Sequence, residues 1–284
     1  MFKKIANVVL LVTTGLASAH INAQELAEAE GDLEEIIVTA EYRPVSVLEL
    51  PTSITVFNEQ SIERRGAVHL EQLLNLAPNV NLSSGASRGR FVLIRGIGER
   101  SQFVEPINPS VGLIIDGMDF TGIGGAASTL DMRQVEILRG PQGTLFGANA
   151  LAGLINMVSN GPENEMDGYA SLTVGNYSRL TATAALGGPI SQNTGFRLAV
   201  QGNKNDGYID NIFLGSDTND IDEVTARGKF AWEVNDDFSM DFTLLYSDVD
   251  NGYDAFSLDN TRETYSDEPG HDLSLIHISE PTRH

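Results

Sequence analysis

The chain has 284 residues, 41% of them hydrophobic and 28 of them glycine, which is enough apolar and turn-forming content for one or two folded domains. Its formal charge of −21 leaves no surplus of Lys and Arg to neutralise phosphates, which excludes a nucleic-acid-binding role. There is no cysteine, so disulfides are excluded too and stability must come from a core or a membrane.

Met1-Phe2-Lys3-Lys4 is a basic start, Ile5 to Leu16 is an apolar stretch too short to span a bilayer, and small residues follow. That order reads as a secretory signal peptide, residues 1–23, cleaved after Ala19 or Ala23. Residues 24–45 form a leader holding a β-prone island: Glu34, Glu35, Ile36, Ile37, Val38, Thr39 and Ala40. Gly31 and Asp32 break the island upstream, and Arg43-Pro44 is expected to forbid regular pairing downstream, which leaves it without a hairpin mate. It is either a linker with an incidental apolar run or a tethered strand offered to another protein.

Residues 46–162 alternate short strands with helical stretches, the pattern of a small α+β unit. Ser53 to Phe57 reads as a strand, and Asn58 is an N-cap for a helix over Glu59 to Arg65 that Gly66 ends. Leu70, Leu73, Leu74 and Leu76 fall at helical spacing within His69 to Ala77, and Pro78 stops that helix. Further strands are expected at Phe91 to Ile94, Val111 to Ile115, Val135 to Leu138 and Leu154 to Val158.

Past Gly161-Pro162 the hydrophobic period becomes two. Leu172 and Val174, then Leu180, Ala182, Ala184 and Leu186, then Phe196, Leu198 and Val200 alternate with smaller or polar residues. The pattern returns in Phe230, Trp232 and Val234 and in Phe238, Met240, Phe242, Leu244 and Tyr246. About five strands of roughly ten residues with one apolar face over 163–272 suit an antiparallel transmembrane β-barrel, whose backbone groups must pair between strands. A soluble β-sandwich gives the same alternation. Connection lengths favour the barrel, since the turns at Gly187 to Gly195 and Asn235 to Asp237 are short and Asn203 to Glu223 is long and acidic. From Gly202 to His284 there are 19 Asp and Glu against 5 Lys and Arg, the composition of solvent-facing loops.

Val135-Glu136-Ile137-Leu138-Arg139-Gly140-Pro141-Gln142-Gly143-Thr144-Leu145-Phe146-Gly147, continued by Ala150-Leu151-Ala152-Gly153-Leu154-Ile155-Asn156, resembles the plug-domain signature of TonB-dependent outer-membrane receptors. Leu93-Ile94-Arg95-Gly96-Ile97-Gly98 and Leu113-Ile114-Ile115-Asp116-Gly117 are further marks of that family, and Glu34 to Ala40 looks like its TonB box. The resemblance runs from about Glu34 to about Asp250. It implies a plug filling the lumen of a barrel of about 22 strands, of which about five are present.

The same resemblance implies a monomeric transporter in the Gram-negative outer membrane, in contact with lipid, that uses no cofactor. It takes up a scarce nutrient such as a ferric siderophore, or alternatively a carbohydrate or cobalamin. TonB and its inner-membrane energising complex pull on the box, which pairs with TonB as an added strand. Arg95 and Arg139 would lock the plug to barrel-wall glutamates, the alternative being pairing inside the plug with Glu136 or Asp131. Two outward loops are candidates for small nutrient or metal-chelate contacts, one carrying Arg88 and Arg90 and the other Glu99, Arg100, Gln102 and Phe103.

Rival readings are weaker. Gly85-Ala86-Ser87-Arg88-Gly89 fits the G-x-S-x-G pattern of serine hydrolases, with His69 or His271 as base, yet a strand rather than a helix is expected after it. Gly122 to Ala127 echoes a dinucleotide loop without the βαβ unit. The glycines of the plug signature lack the Lys-Ser or Lys-Thr of a phosphate cradle. The histidines have no metal-ligand spacing, and Asp248 to Gly252 places its glycine one position early for an EF-hand. The short leader leaves no room for an extra signalling domain. Residues 273–284 resemble a translated sequencing adaptor and are expected to be a spurious tail on a truncated barrel.

Overall fold

The computed structural model describes residues 37–39, 45–83, 88–89, 91–99, 107–211, 216–235 and 237–252. The expected signal peptide, Glu34, Glu35, Ile36, Ala40, Ser87, Arg90, Arg100, Gln102, Phe103 and the expected tail lie outside the described residues.

The chain opens with β1 (Ile37–Val38) and β2 (Val45–Ser46), followed by β3 (Ser53–Asn58), α1 (Glu59–Arg65), α2 (Glu71–Leu74), β4 (Val80–Ser83) and β5 (Phe91–Ile94). Next come β6 (Val111–Ile115), β7 (Met118–Asp119), β8 (Met132–Arg139), α3 (Gly143–Phe146) and β9 (Gly153–Ser159). Five of these form a mixed sheet in the order β3-β8-β9-β6-β7, with β6 parallel to β9. The Asn58 side chain accepts the Ser61 N–H at 3.0 Å and starts α1, while Gly66 ends it at φ 62°.

Alternation along β8 sends its neighbours to opposite faces. Val135 and Ile137 meet Ile62, Leu70, Leu73 and Leu74 from the helices, with Ile155 and Met157 of β9 beside them. Leu138 points to the other face and packs with Ile114, Ala150 and Leu154. Glu136 shares that second face, and so does the short β1-β2 hairpin that docks onto it.

A second sheet follows, with strands β10 (Asp167–Val174), β11 (Leu180–Ser191), β12 (Thr194–Asn205), β15 (Ile221–Asn235) and β16 (Phe238–Val249), each antiparallel to its neighbour. A small hairpin of β13 (Ile209–Asn211) and β14 (Ser216–Thr218) projects from the long β12–β15 connection. Four of the five strands have 12 or 15 residues, enough to cross a bilayer at a tilt.

Burial on this sheet decides between barrel and sandwich. The apolar set faces out, with Leu172 69% and Leu244 74% exposed and Leu180, Leu186, Leu198, Val200 and Phe242 likewise open. The buried face is largely polar, with Thr181, Arg197, Gln201, Asn203, Thr225 and Arg227, and Arg197, Gln201 and Arg227 meet Asp131, Ser128 and Leu130 of the plug. A soluble sandwich would bury the other face. This is the outside-apolar arrangement of a membrane barrel wall, here five strands with no closure among the described residues.

Several expectations need correcting. The island has a hairpin mate: Ile37 pairs with Ser46 and Val38 with Val45. Pro44 does not forbid this, because the pairing uses only residues after it and requires no N–H from the proline. The helix expected over His69 to Ala77 is reduced to Glu71–Leu74, since Leu70 N–H donates to Ala127 C=O and the His69 ring is drawn to Gly124 C=O. β4 was not foreseen, and the turn expected over Gly187 to Gly195 contracts to residues 192–193.

Candidate functional site

Three groups of polar contacts organise the molecule, one beneath β1 and two between plug and wall. Beneath β1, the wholly buried Glu136 accepts Thr39 N–H at 2.8 Å and Thr39 Oγ1 at 3.2 Å on one carboxylate oxygen and Asn156 Nδ2 at 3.0 Å on the other. Gln134 Nε2 donates both to Glu136 and, at 3.1 Å, to Ile37 C=O. Val38 between them is 1% exposed, so an apolar side chain and a pair of polar ones hold the strand together.

One plug–wall contact joins the end of the wall that carries the long connection. Arg88 donates from Nε and Nη2 to both oxygens of Glu223 at 2.7 and 2.6 Å and from Nη1 to Glu71 at 2.8 Å. Glu71 also accepts Gly89 N–H, and Asn251 Nδ2 donates to Glu223 at 2.6 Å. Nearby His69 is buried; its Nε2 donates to Gly124 C=O at 2.8 Å, and its Nδ1 accepts Glu71 N–H at 3.3 Å. Burial, helped by the Arg88 charge, lowers its pKa below 6.5, so it stays neutral.

The other contact sets wall cations against plug carboxylates. Arg197 grips Asp131 through Nε at 2.9 Å and Nη2 at 2.7 Å and reaches Asp167 at 3.1 Å. Lys229, directly across from Arg197 in the register, donates to Asp116 at 3.0 Å and to Ser159 C=O at 3.2 Å. Arg227 donates to Leu130 C=O and stands 3.7 Å from Asp116. Burial pushes the Asp116 carboxyl up, but Lys229 and the Ser159 N–H and hydroxyl outweigh it and hold the group below its ordinary 3.8.

The residues expected to act fall into different places. Ile37, Val38 and Thr39 are together on the plug. Arg139 donates to the carbonyls of Pro78 at 2.9 Å and Ile54 at 3.2 Å, and neither Glu136 nor Asp131 is its partner. Arg95 sits exposed in a turn at φ 54°, its N–H on Asn79 C=O. Glu99 accepts the Ser110 N–H at 3.0 Å and hydroxyl at 2.8 Å, closing the base of its loop. Among the described residues no group of His, Cys, Asp or Glu is placed to hold a metal, and Asn251 of the calcium-like run is spent on Glu223 and on Asp222 N–H.

Sequence reasoning missed Gln134, Arg197, Arg227 and Lys229, took Asp116 only as part of a family mark, and named Glu136 and Asp131 only as alternative partners for Arg139. A signal existed for the wall cations: they occupy the polar phase of the same alternation whose apolar phase marked the strands.

Residues 46–154, which make the plug sheet and its helices, match the family model of the TonB-dependent Receptor Plug Domain. That stretch is a plug domain of the TonB-dependent receptor kind. Over 176 residues the chain is 30% identical to the pesticin receptor of Yersinia enterocolitica, covering 62% of this chain and 25% of that protein. It is 27% identical over 164 residues to the vitamin B12 transporter BtuB of Vibrio vulnificus, covering 55% and 25%. The crystal structure of the ferric yersiniabactin uptake receptor FyuA from Yersinia pestis superposes with a TM-score of 0.62 at 26% identity, over 69% of this chain and 31% of that one. The chain thus spans about a quarter of the length of these curated relatives. Its wall strands are those of an outer-membrane protein, apolar side outward.

Proposed function

We propose that this receptor takes up a ferric siderophore across the outer membrane, driven through TonB by the segment Glu34 to Ala40. The observation that carries the reading is the docked strand itself: Ile37 to Thr39 lies on the plug and is held chiefly by side chains, an arrangement suited to being pulled away. Force applied there acts on β8, the strand that also leads into Arg139. The plug is the gate, and no covalent chemistry is required.

Ligand contacts are assigned to Arg90, Arg100, Gln102 and Phe103. Arg88 and Glu99 fix the bases of the two loops through Glu71, Glu223 and Ser110. Cations at such an apex suit an anionic ferric chelate. Arg95 and Arg139 keep the proposed role of locking the plug to wall glutamates beyond the strands present here. Similarity to the ferric yersiniabactin uptake receptor favours an iron chelate, whereas similarity to a vitamin B12 transporter favours the second reading, cobalamin uptake.

Accumulation of radioiron from a panel of ferric siderophores, by the full-length receptor in cells lacking other such receptors, tests this. Ile37→Pro should abolish accumulation and leave surface binding intact, because proline removes a donor that an added strand uses. Loss of both would mean that the strand is structural.

A further inference from the structure

Arg179 and Lys204 aside, every cation of the wall strands lies on one patch of their inner face: Arg197, Arg227 and Lys229. Lys229 is directly across from Arg197, and Arg227 is two residues along the same strand. The inward row of β15 reads Glu223, Thr225, Arg227, Lys229, from the end with the long connection to the end with the short turns. Long loops of an outer-membrane barrel face outward and short turns face the periplasm. The positive patch therefore lies on the periplasmic side of the lumen, well below the mouth.

With the plug seated, the patch is covered but not fully satisfied. Asp131 takes two N–H groups of Arg197, and Asp116 takes the Lys229 ammonium. Arg227 donates from Nη1 to Leu130 C=O, whereas its Nε and Nη2 are buried without a hydrogen-bond partner among the described residues. A guanidinium so placed has donors to spare for an oxyanion. The two carboxylates are tied to adjacent residues of the plug: Ser159 donates to Asp116 from its N–H at 2.9 Å and its hydroxyl at 2.7 Å, and Asn160 Nδ2 donates to Asp131 at 3.1 Å. Displacement of the plug thus removes both together and leaves three cations facing the opened path.

We propose that Arg197, Arg227 and Lys229 form an anion-binding station for the cargo, masked by Asp116 and Asp131 while the plug is seated and uncovered when it moves. The inference rests on the reading of the plug as a gate. The cargo that it suits carries several anionic oxygens, which guanidinium forks take two at a time and an ammonium takes as a point charge. Cations uncovered in a narrow lumen are costly to leave unpaired, so an anionic chelate arriving there replaces the lost carboxylates. A neutral cargo gives no such compensation. Return of the plug brings the carboxylates back and displaces the cargo, so the same cations serve arrival and release.

Current through the full-length receptor in planar bilayers tests the station, with the plug displaced by denaturant and pyrophosphate as the probe anion. Pyrophosphate should block the opened parent pore. Arg197→Gln and Arg227→Gln should each raise the half-blocking concentration about tenfold, the loss of hydrogen bonds to a charged group. Arg227→Lys keeps the charge without the fork and should fall between parent and Arg227→Gln. Asp116→Asn and Asp131→Asn should open at lower denaturant yet be blocked as the parent is, because in the opened pore those carboxylates have already left. Cations that only hold the plug would shift the opening concentration in every variant and leave the block unchanged, which overturns the station. An opened parent pore that pyrophosphate does not block overturns it too, and that result needs no variant to fold. Absence of any current at any denaturant concentration is a different failure: the gate reading falls, and the station with it.

Discussion

Arg197 on the wall and Asp131 on the plug are joined by two parallel hydrogen bonds of 2.9 and 2.7 Å, and both side chains are buried. Removing one member of such a pair strands the other charge and costs about 3–5 kcal/mol, whereas replacing both by apolar groups is often close to neutral. Arg197→Met alone should therefore lower the denaturant midpoint of plug release markedly, and adding Asp131→Leu should restore most of it. Asp167, itself largely exposed, should matter little when changed to Asn. A double-mutant cycle on the full-length receptor gives the coupling; additive losses would contradict the pairing.

That contact also marks what the sequence could and could not disclose. Asn58, Glu59 to Arg65 and Gly66 were legible because cap, helix and terminator are local and each residue type has one favoured role. The wall strands were legible through their period, and the apolar phase proved to be the exposed one. The partner of Arg197 lies 66 residues away and that of Arg88 135 residues away, distances over which no local pattern operates. β1 was misjudged for the opposite reason, since a proline rule was applied one residue too far. Glu136 was read only as a letter of the plug signature and as an alternative partner for Arg139, although an acidic residue between Val135 and Ile137 in a buried strand needs partners from elsewhere.

Acid should weaken the plug in two steps, both with the same sign. His69 has its native pKa lowered by burial and by Arg88, so the unfolded chain binds a proton first and stability begins to fall as pH drops below 6.5. Asp116 has its native pKa lowered by Lys229 and Ser159 despite burial. Its contribution is present above about pH 3.8 and is lost as pH falls through the lower native value. Melting temperature against pH should show both declines, and His69→Gln should remove the first while sparing the second. A first decline that persists in His69→Gln would assign it to another group.

Gly153 illustrates a glycine demanded by space. A Cβ there would meet Leu138 C=O in the adjacent strand and Ile94 Cδ1, and the first of these is backbone that cannot give way. Gly153→Ala should cost about 1–3 kcal/mol through overpacking at the β8–β9 pairing. Gly143→Ala, in the same signature but with open space at its Cβ, should be tolerated. Thermal unfolding of the two variants side by side checks the contrast, and equal losses would point to the motif rather than to the clash.

The outward face of the wall yields the last prediction. Leu244 lies halfway along β16, and its row across the sheet runs through Gly228 to Leu198 and Leu186, an apolar line open to the outside. Water would tolerate a charge at so exposed a position, whereas a bilayer would not: Leu244→Arg should cost about 2–4 kcal/mol of folding stability in lipid. The adjacent Leu245 turns inward and packs against the plug core, so Leu245→Ala should instead loosen plug seating by leaving a small cavity. Folding yield into vesicles measures the first effect and plug release in denaturant measures the second. Because the two residues are neighbours, separation of the two readouts follows only if successive side chains of β16 face different solvents, and a common response would remove the membrane assignment of this face.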